Sequence, residues 1–123
     1  MESFLPLLEY LLPDFILAYY QLSRVEKSSD LLHVYVEEKN YSESDSSKQF
    51  LLSKGFLPEI TIQDFPIRDR RVFLHVKRRR WLNTRTGKIE QRNWAEVADG
   101  TRMTKEFALF LKEIDGFVPP QYQ

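Results

Sequence analysis

The chain has 123 residues and a formal net charge of zero, because 18 Lys and Arg side chains balance 18 Asp and Glu side chains. It contains no cysteine, which excludes a disulfide framework and any zinc site built on thiolates. An apolar content of 42% is enough for one modest hydrophobic core, so we expect a single domain over residues 1–123.

The zero net charge hides an uneven distribution of charge along the chain. Residues 68–92 carry a net charge of +8, residues 1–67 carry −6 and residues 93–123 carry −2. A basic segment of this density is typical of a polyanion-binding surface. The alternative is a solvated strand face whose cations pair with the acidic N-terminal half.

The N-terminal stretch is apolar and predicts a helix. Leucines at helical spacing favour a helix over residues 2–12, and Pro13 ends it or opens a further turn over residues 14–18. Glu9 and Asp14 interrupt the apolar run, which argues against a membrane span. We therefore expect no membrane partner and a cytoplasmic location.

The middle of the chain alternates apolar and polar residues, which is typical of strands. A Ser-rich turn over residues 28–30 predicts a hairpin, so residues 1–39 form one helix-and-hairpin segment. Residues 40–48 are polar and predict an exposed loop, whereas residues 49–57 leave the type of element open. The predicted strands cover residues 19–27, 31–39, 59–65, 71–82 and 89–94.

The strand over residues 71–82 shows the clearest alternation in the sequence. Val72, Leu74 and Val76 face one way, and the turn around Gly87 leads into the return strand over residues 89–94. Together they predict a long, basic, ribbon-like hairpin within a β unit spanning residues 58–94. Such a ribbon has the right shape to enter a major groove or to lie along a phosphate backbone.

The C-terminal part predicts a helix over residues 101–115. Thr101 is a candidate N-cap, and the residues that follow place one apolar stripe along the helix. The expected fold class is α+β, with a small antiparallel β-sheet, the long basic hairpin, an N-terminal helix and a C-terminal helix.

The sequence contains no recognisable catalytic constellation. Phosphate-binding glycine loops and zinc-protease motifs are absent, and His33 and His75 stand far apart without cysteine partners. Adjacent Glu37 and Glu38 point to opposite faces of a strand and cannot easily share an ion. We therefore expect no catalytic residue, no metal site, no cofactor and no enzymatic activity.

Three phrases of the sequence resemble a known family. They are the segment from Ile62 to Arg68, the segment from Val72 to Trp81, and the segment from Gly100 to Thr104. Their spacing resembles the N-terminal region of bacterial insertion-sequence transposases of the zinc-ribbon-headed type, which some elements encode as a short separate chain. The resemblance covers residues 30–115 and implies DNA binding in transposition, with a separate catalytic transposase chain as partner. A protein of this kind is expected to associate with the nucleoid when it is bound to DNA.

The sequence departs from that family at the metal ligands. The cysteine pairs that flank the unit in the zinc-ribbon relatives are missing, and Trp81 to Thr84 stand where one pair is expected. The resemblance therefore implies a zinc-free ribbon, in which apolar packing replaces the zinc ion and Trp81 is a candidate for that packing. It does not carry over a catalytic acid to this chain.

The leading hypothesis is a non-catalytic module that binds double-stranded DNA at the terminal repeats of an insertion element. Two alternatives remain. One is a protein-interaction module that docks on the catalytic chain through the apolar stripe of the C-terminal helix, and the other is a domain that binds RNA or single strands. The candidate nucleic-acid-binding residues are Arg71, Lys77, Arg78, Arg79, Arg80, Arg85, Lys88 and Arg92.

Overall fold

The computed structural model describes residues 12–67, 69–100 and 103–116. They belong to two compact units, with the boundary after Gln91. Strands dominate the first unit and helices form the second, so the fold class is α+β, as predicted. The helix predicted over residues 2–12 lies outside the described residues, apart from its last position.

Among the described residues of the first unit, one short helix precedes seven strands. Helix α1 confirms the helical turn predicted around residues 14–18. Strand β3 lies within residues 49–57, for which the sequence did not decide between helix and strand. The elements are α1 (Asp14–Tyr19), β1 (Tyr20–Lys27), β2 (Leu31–Glu38), a 3₁₀ turn (Ser46–Lys48), β3 (Leu51–Phe56), β4 (Ile60–Ile67), β5 (Arg70–Lys77), β6 (Arg79–Asn83) and β7 (Ile89–Glu90).

A four-stranded sheet with the order β1-β2-β5-β4 carries most of the core of this unit. Strands β1 and β4 pair antiparallel with their neighbours, but the central strands β2 and β5 run parallel. Alternate residues of the two central strands point to the buried face, as the sequence pattern predicts. The buried apolar residues there are Leu32, Val34, Val36, Val72, Leu74 and Val76.

The long basic hairpin takes a different form from the one predicted. Residues 71–82 are not one strand, because Arg78 lies outside both ladders and separates β5 from β6. Strand β6 belongs to a second, three-stranded antiparallel sheet with the order β3-β6-β7. Because Arg78 lies outside the ladders, the alternation of buried and exposed side chains is reversed beyond it. Even-numbered residues are buried in β5, whereas the odd-numbered Trp81 and Asn83 are buried in β6. The side chain of Arg80 therefore points outward.

The return strand predicted over residues 89–94 is also much shorter. Strand β7 has two residues, and helix α2 (Trp94–Gly100) begins where the strand was expected to continue. The Asn93 side-chain oxygen accepts a hydrogen bond from the Glu96 backbone N–H at 3.1 Å, which caps this helix. Because an N-capped helix starts at Trp94, the backbone cannot stay extended there.

The second unit contains α2 and a longer helix, α3 (Lys105–Asp115), which confirms the predicted C-terminal helix. Its N-cap is Thr104, not Thr101, since the Thr104 hydroxyl oxygen accepts the Phe107 backbone N–H at 3.1 Å. Gly116 ends the helix with a φ of 70°, a left-handed conformation that glycine adopts without strain.

Candidate nucleic-acid interface

Two of the predicted binding residues are held by a tight turn between β6 and β7. The Asn83 side chain is buried, and its oxygen accepts the backbone N–H groups of Arg85 at 2.9 Å and Thr86 at 3.2 Å. The Asn83 carbonyl accepts the N–H of Gly87 at 2.7 Å, and Gly87 has a φ of 75°. This network fixes the backbone that presents Arg85 and Lys88 to solvent.

Arg85 also has a defined side-chain position. Its guanidinium carbon lies 4.1 Å from the centroid of the Phe50 ring, which is a cation–π contact. Stacking uses the face of the guanidinium and leaves its in-plane N–H donors available, which is the orientation that suits a phosphate.

A third predicted cation, Arg80, lies on the exposed side of β6. Its Nε donates to the Lys54 carbonyl of β3 at 2.7 Å, and both side chains are exposed. Lys54 was not among the predicted binding residues, because a lone lysine in an unassigned segment gives no signal. Residues 51–56 and 79–90 carry a net charge of +4, and their single acidic side chain, Glu90, accepts a hydrogen bond from buried Asn83 at 2.7 Å.

Arg79, in contrast, is engaged inside the protein. Its Nε donates to the carbonyl of Glu38 at 2.9 Å and its Nη1 to the Ser53 hydroxyl at 2.5 Å, while the Glu38 carboxylate accepts the Arg79 backbone N–H at 3.0 Å. The guanidinium also lies 4.7 Å from the Phe56 ring centroid. These contacts join the two sheets. Arg78, between the sheets, is half-buried.

The other three predicted binding residues lie elsewhere. Arg71 and Lys77 belong to β5 and face carboxylates, with N–O distances of 4.0 Å to Asp30 and 3.9 Å to Glu37. Arg92 belongs to the second unit, where its guanidinium lies 5.8 Å from the Trp94 ring centroid. The structure therefore groups Arg80, Arg85 and Lys88 on the three-stranded sheet and its turn.

The exposed face of the three-stranded sheet also carries an apolar row. Leu52, Leu82 and Ile89 are directly opposite one another in register, one from each strand, so their side chains share a face. Leu52 is 48% exposed and Ile89 is 54% exposed. An apolar row beside exposed cations is a feature that sequence reasoning missed, because it depends on the pairing of three separate strands.

The open face of the four-stranded sheet carries a column of aromatic rings. Tyr35 stacks on His75 at a centroid distance of 4.3 Å, and His33 stacks on Phe73 at 5.7 Å, with 5.0 Å between the two imidazoles. The guanidinium of Arg24 covers Tyr35 at 4.0 Å. Because the ring faces contact one another, this column offers mainly ring edges to a nucleobase. The geometry gives no support to base stacking here.

A cavity of about 280 Å³ on the same face is electrically balanced. It is lined in part by Arg24, Tyr35, Glu37, Glu59, His75 and Lys77. A side-chain hydrogen bond with Tyr35 raises the pKa of Arg24 above its ordinary value, so this guanidinium is always cationic. The basic side chains lie near carboxylates, with N–O distances of 3.2 Å for Arg24–Glu26, 3.3 Å for His75–Glu59 and 3.9 Å for Lys77–Glu37. The lining of this cavity therefore lacks the excess positive charge that a phosphate site needs.

Both tryptophans are buried packing residues. Trp81 is fully buried, and its Nε1 donates to the Asn40 side-chain oxygen at 2.8 Å. Trp94 is buried, and its ring makes a T-shaped contact with the Phe107 ring at a centroid distance of 6.0 Å. The apolar stripe of α3, proposed as a docking face, is buried at Phe107, Phe110, Leu111 and Ile114.

Comparisons with known proteins identify no relative. Neither a protein-family model, nor a curated protein, nor a solved structure matches this chain. Among the described residues, none of the helices has the length and apolar character needed to cross a bilayer.

Proposed function

We propose that this protein is a non-catalytic module that binds duplex DNA through the exposed side of the three-stranded sheet and the turn between β6 and β7. The observation that carries the proposal is the grouping of exposed Lys54, Arg80, Arg85 and Lys88 on a surface whose nearby acidic side chain, Glu90, is engaged with Asn83. The phrases that resemble transposase N-terminal regions favour the ends of an insertion element as the target, and a separate catalytic chain as the partner.

The physical basis of this binding is the release of counterions from DNA. Each phosphate that a Lys or Arg neutralises contributes about −0.9 to the slope of log affinity against log salt concentration. A rigid turn supports such contacts, because positioned cations lose little conformational freedom on binding. Arg85, already stacked on Phe50, meets that condition.

Removing the turn cations is expected to weaken DNA binding and to flatten its salt dependence. In the variant Arg85→Ala/Lys88→Ala, two phosphate contacts are lost, so the magnitude of the salt slope should fall by about 2. Fluorescence anisotropy with a randomised duplex pool and with an element end, at several salt concentrations, measures both the affinity and the slope.

The matched control is Arg71→Ala/Lys77→Ala, which removes the same charge from the four-stranded sheet. Because Asp30 and Glu37 lie near these cations, this control should change the slope by much less. Equal losses in the two double variants would mean that net charge, and not the three-stranded sheet, determines binding. No binding of the wild-type protein at low salt would overturn the proposal.

A second candidate function, protein docking, is favoured by the apolar row of Leu52, Leu82 and Ile89, in which Leu52 and Ile89 are exposed. Apolar side chains in register across a sheet suit the apolar face of a partner, and the neighbouring cations suit an acidic one. In this role the surface would receive the separate catalytic chain.

The variant Leu52→Ser/Ile89→Ser separates the two functions. It keeps every cation, so DNA binding should be unchanged if phosphates are the main contacts, whereas docking on a protein partner should be lost. If instead the variant loses DNA affinity as strongly as Arg85→Ala/Lys88→Ala does, the apolar row contacts the nucleic acid itself.

A further inference from the structure

The two histidines of the chain meet on the open face of the four-stranded sheet. His33 of β2 and His75 of β5 are 42 residues apart, yet His33 Nδ1 and His75 Nε2 are separated by 2.8 Å. The contact arises because β2 and β5 run parallel in a register that pairs Tyr35 with His75 and His33 with Phe73. At this distance the two nitrogens form one N–H···N hydrogen bond, which joins the central strands through their side chains.

Neighbouring oxygens determine which nitrogens carry protons when both rings are neutral. His75 Nδ1 lies 3.3 Å from a Glu59 carboxylate oxygen and 3.2 Å from the Thr61 hydroxyl oxygen. A carboxylate only accepts, so His75 Nδ1 carries the proton of that ring and His75 Nε2 presents a lone pair. The donor of the hydrogen bond between the rings is therefore His33 Nδ1.

This hydrogen bond tolerates one added proton but not two. With one added proton, one ring is an imidazolium that donates to the neutral ring, and the hydrogen bond becomes charge-assisted. With two added protons, His33 Nδ1 and His75 Nε2 both carry hydrogen, so two N–H groups point at each other and two positive charges meet. The two rings therefore take up protons as a coupled pair and not as independent groups.

The packing around the pair prevents the rings from turning away from this conflict. Tyr35 stacks on His75 with an interplanar angle of 12°, and Phe73 stacks on His33 with an angle of 22°. An imidazole that rotates its N–H out of the contact loses its stacking partner. Uptake of the second proton is thus coupled to a rearrangement of the rings that join β2 and β5.

The carboxylates of this face balance one added proton on the pair and not a second. Glu59 contacts His75 and can neutralise one imidazolium. Among the described residues, three further carboxylates flank the pair, and each lies near a cation. These pairs are Arg24–Glu26, Arg71–Asp30 and Lys77–Glu37, with N–O distances of 3.2, 4.0 and 3.9 Å.

We propose that the hydrogen bond between His33 and His75 is a pH-sensitive switch, which joins β2 to β5 while at most one imidazole is charged and breaks when both are. Histidine is the side chain that changes charge between pH 5 and 8, so the hydrogen bond is formed at neutral pH and is lost towards pH 5. The switch is independent of DNA binding.

The sign of the effect on stability follows from the number of protons bound. In the unfolded chain the two rings are apart, and each takes up its own proton near about pH 6.5. The folded pair resists the second proton, so below this pH the unfolded state binds more protons than the folded state does. The stability of the first unit therefore falls as the pH falls towards 5.

The test is urea denaturation of the full chain at about pH 6.5 and about pH 5, followed by circular dichroism. In His33→Gln the side-chain amide can turn to donate to a neutral His75 or to accept from a charged one, so this variant has no conflict at either pH. We expect the wild-type midpoint to fall by about 0.5 M more urea than the His33→Gln midpoint over this interval.

Glu37→Gln is the matched control, because it removes a carboxylate of the same face that lies near Lys77 and not near the histidines. Its midpoint should fall with pH as that of the wild type does. Equal falls in wild type and His33→Gln would overturn the proposal.

A second measurement needs no variant. Because the chain has only two histidines, long-range proton–nitrogen magnetic resonance spectra assign the protonated nitrogen of each ring. At about pH 8 both rings should carry their proton on Nδ1, and on acidification the pair should take up two protons in separate steps. A proton on Nε2 of either neutral ring, or independent uptake by both rings in one step, would also overturn the proposal.

Discussion

Replacing Trp81 with alanine is expected to lower the free energy of unfolding of the first unit by about 3–5 kcal/mol. The indole of Trp81 in β6 is fully buried, and the centroid of the Tyr41 ring lies 4.8 Å from the centroid of the indole. Alanine would leave a large cavity and would also remove the donor that Asn40 accepts from at 2.8 Å. Chemical denaturation followed by circular dichroism measures the loss.

Two further variants divide this loss into its parts. Trp81→Phe retains most of the apolar volume but not the N–H, so it should cost clearly less than Trp81→Ala. Leu52→Ala removes a large side chain of the same sheet that is 48% exposed, and it should change stability by no more than about 0.5 kcal/mol. A Trp81→Ala variant as stable as Leu52→Ala would show that the indole does not stabilise the core.

Alternation in the sequence predicted most of the strands, because one buried and one open face impose a period of two. Val72, Leu74 and Val76 are buried as expected. The same alternation also contains the sign of the strand break after Lys77. Beyond Lys77, the even positions hold Arg78 and Arg80, whereas the next large apolar residue, Trp81, is odd-numbered. One residue outside the ladder reconciles the two patterns.

The candidate sites depend on pairings that a single sequence does not encode locally. The parallel pairing of β2 with β5 brings His33 to His75, and the pairing of three separate strands aligns Leu52 with Leu82 and Ile89. Local signals were also missed. Asn93 followed three residues later by Glu96 is a local signal for a helix start, and the strand predicted over residues 89–94 did not take it into account.

Arg79→Ala is expected to destabilise the first unit by about 2–3 kcal/mol, although its neighbour Arg80→Ala should change stability by no more than about 0.5 kcal/mol. Alanine at position 79 leaves the part-buried carbonyl of Glu38 and the hydroxyl of Ser53 without the guanidinium donors that they now accept. Arg80 is exposed, and its donor bond to the Lys54 carbonyl is replaced by water. Thermal and urea unfolding of both variants measure the difference.

In DNA binding, Arg80→Ala should have the larger effect of the two variants. Arg80→Ala should reduce the salt slope by about 1, whereas folded Arg79→Ala should retain it, because the wild-type Arg79 guanidinium is engaged with Glu38 and Ser53.

Arg79→Lys keeps the positive charge but cannot form the two hydrogen bonds of the planar guanidinium, so it should lose almost as much stability as Arg79→Ala does. If Arg79→Lys is fully stable while Arg79→Ala is not, charge and not hydrogen-bond geometry accounts for the role of this residue. If Arg79→Ala lowers the salt slope as much as Arg80→Ala does, the consecutive arginines bind DNA as one basic run.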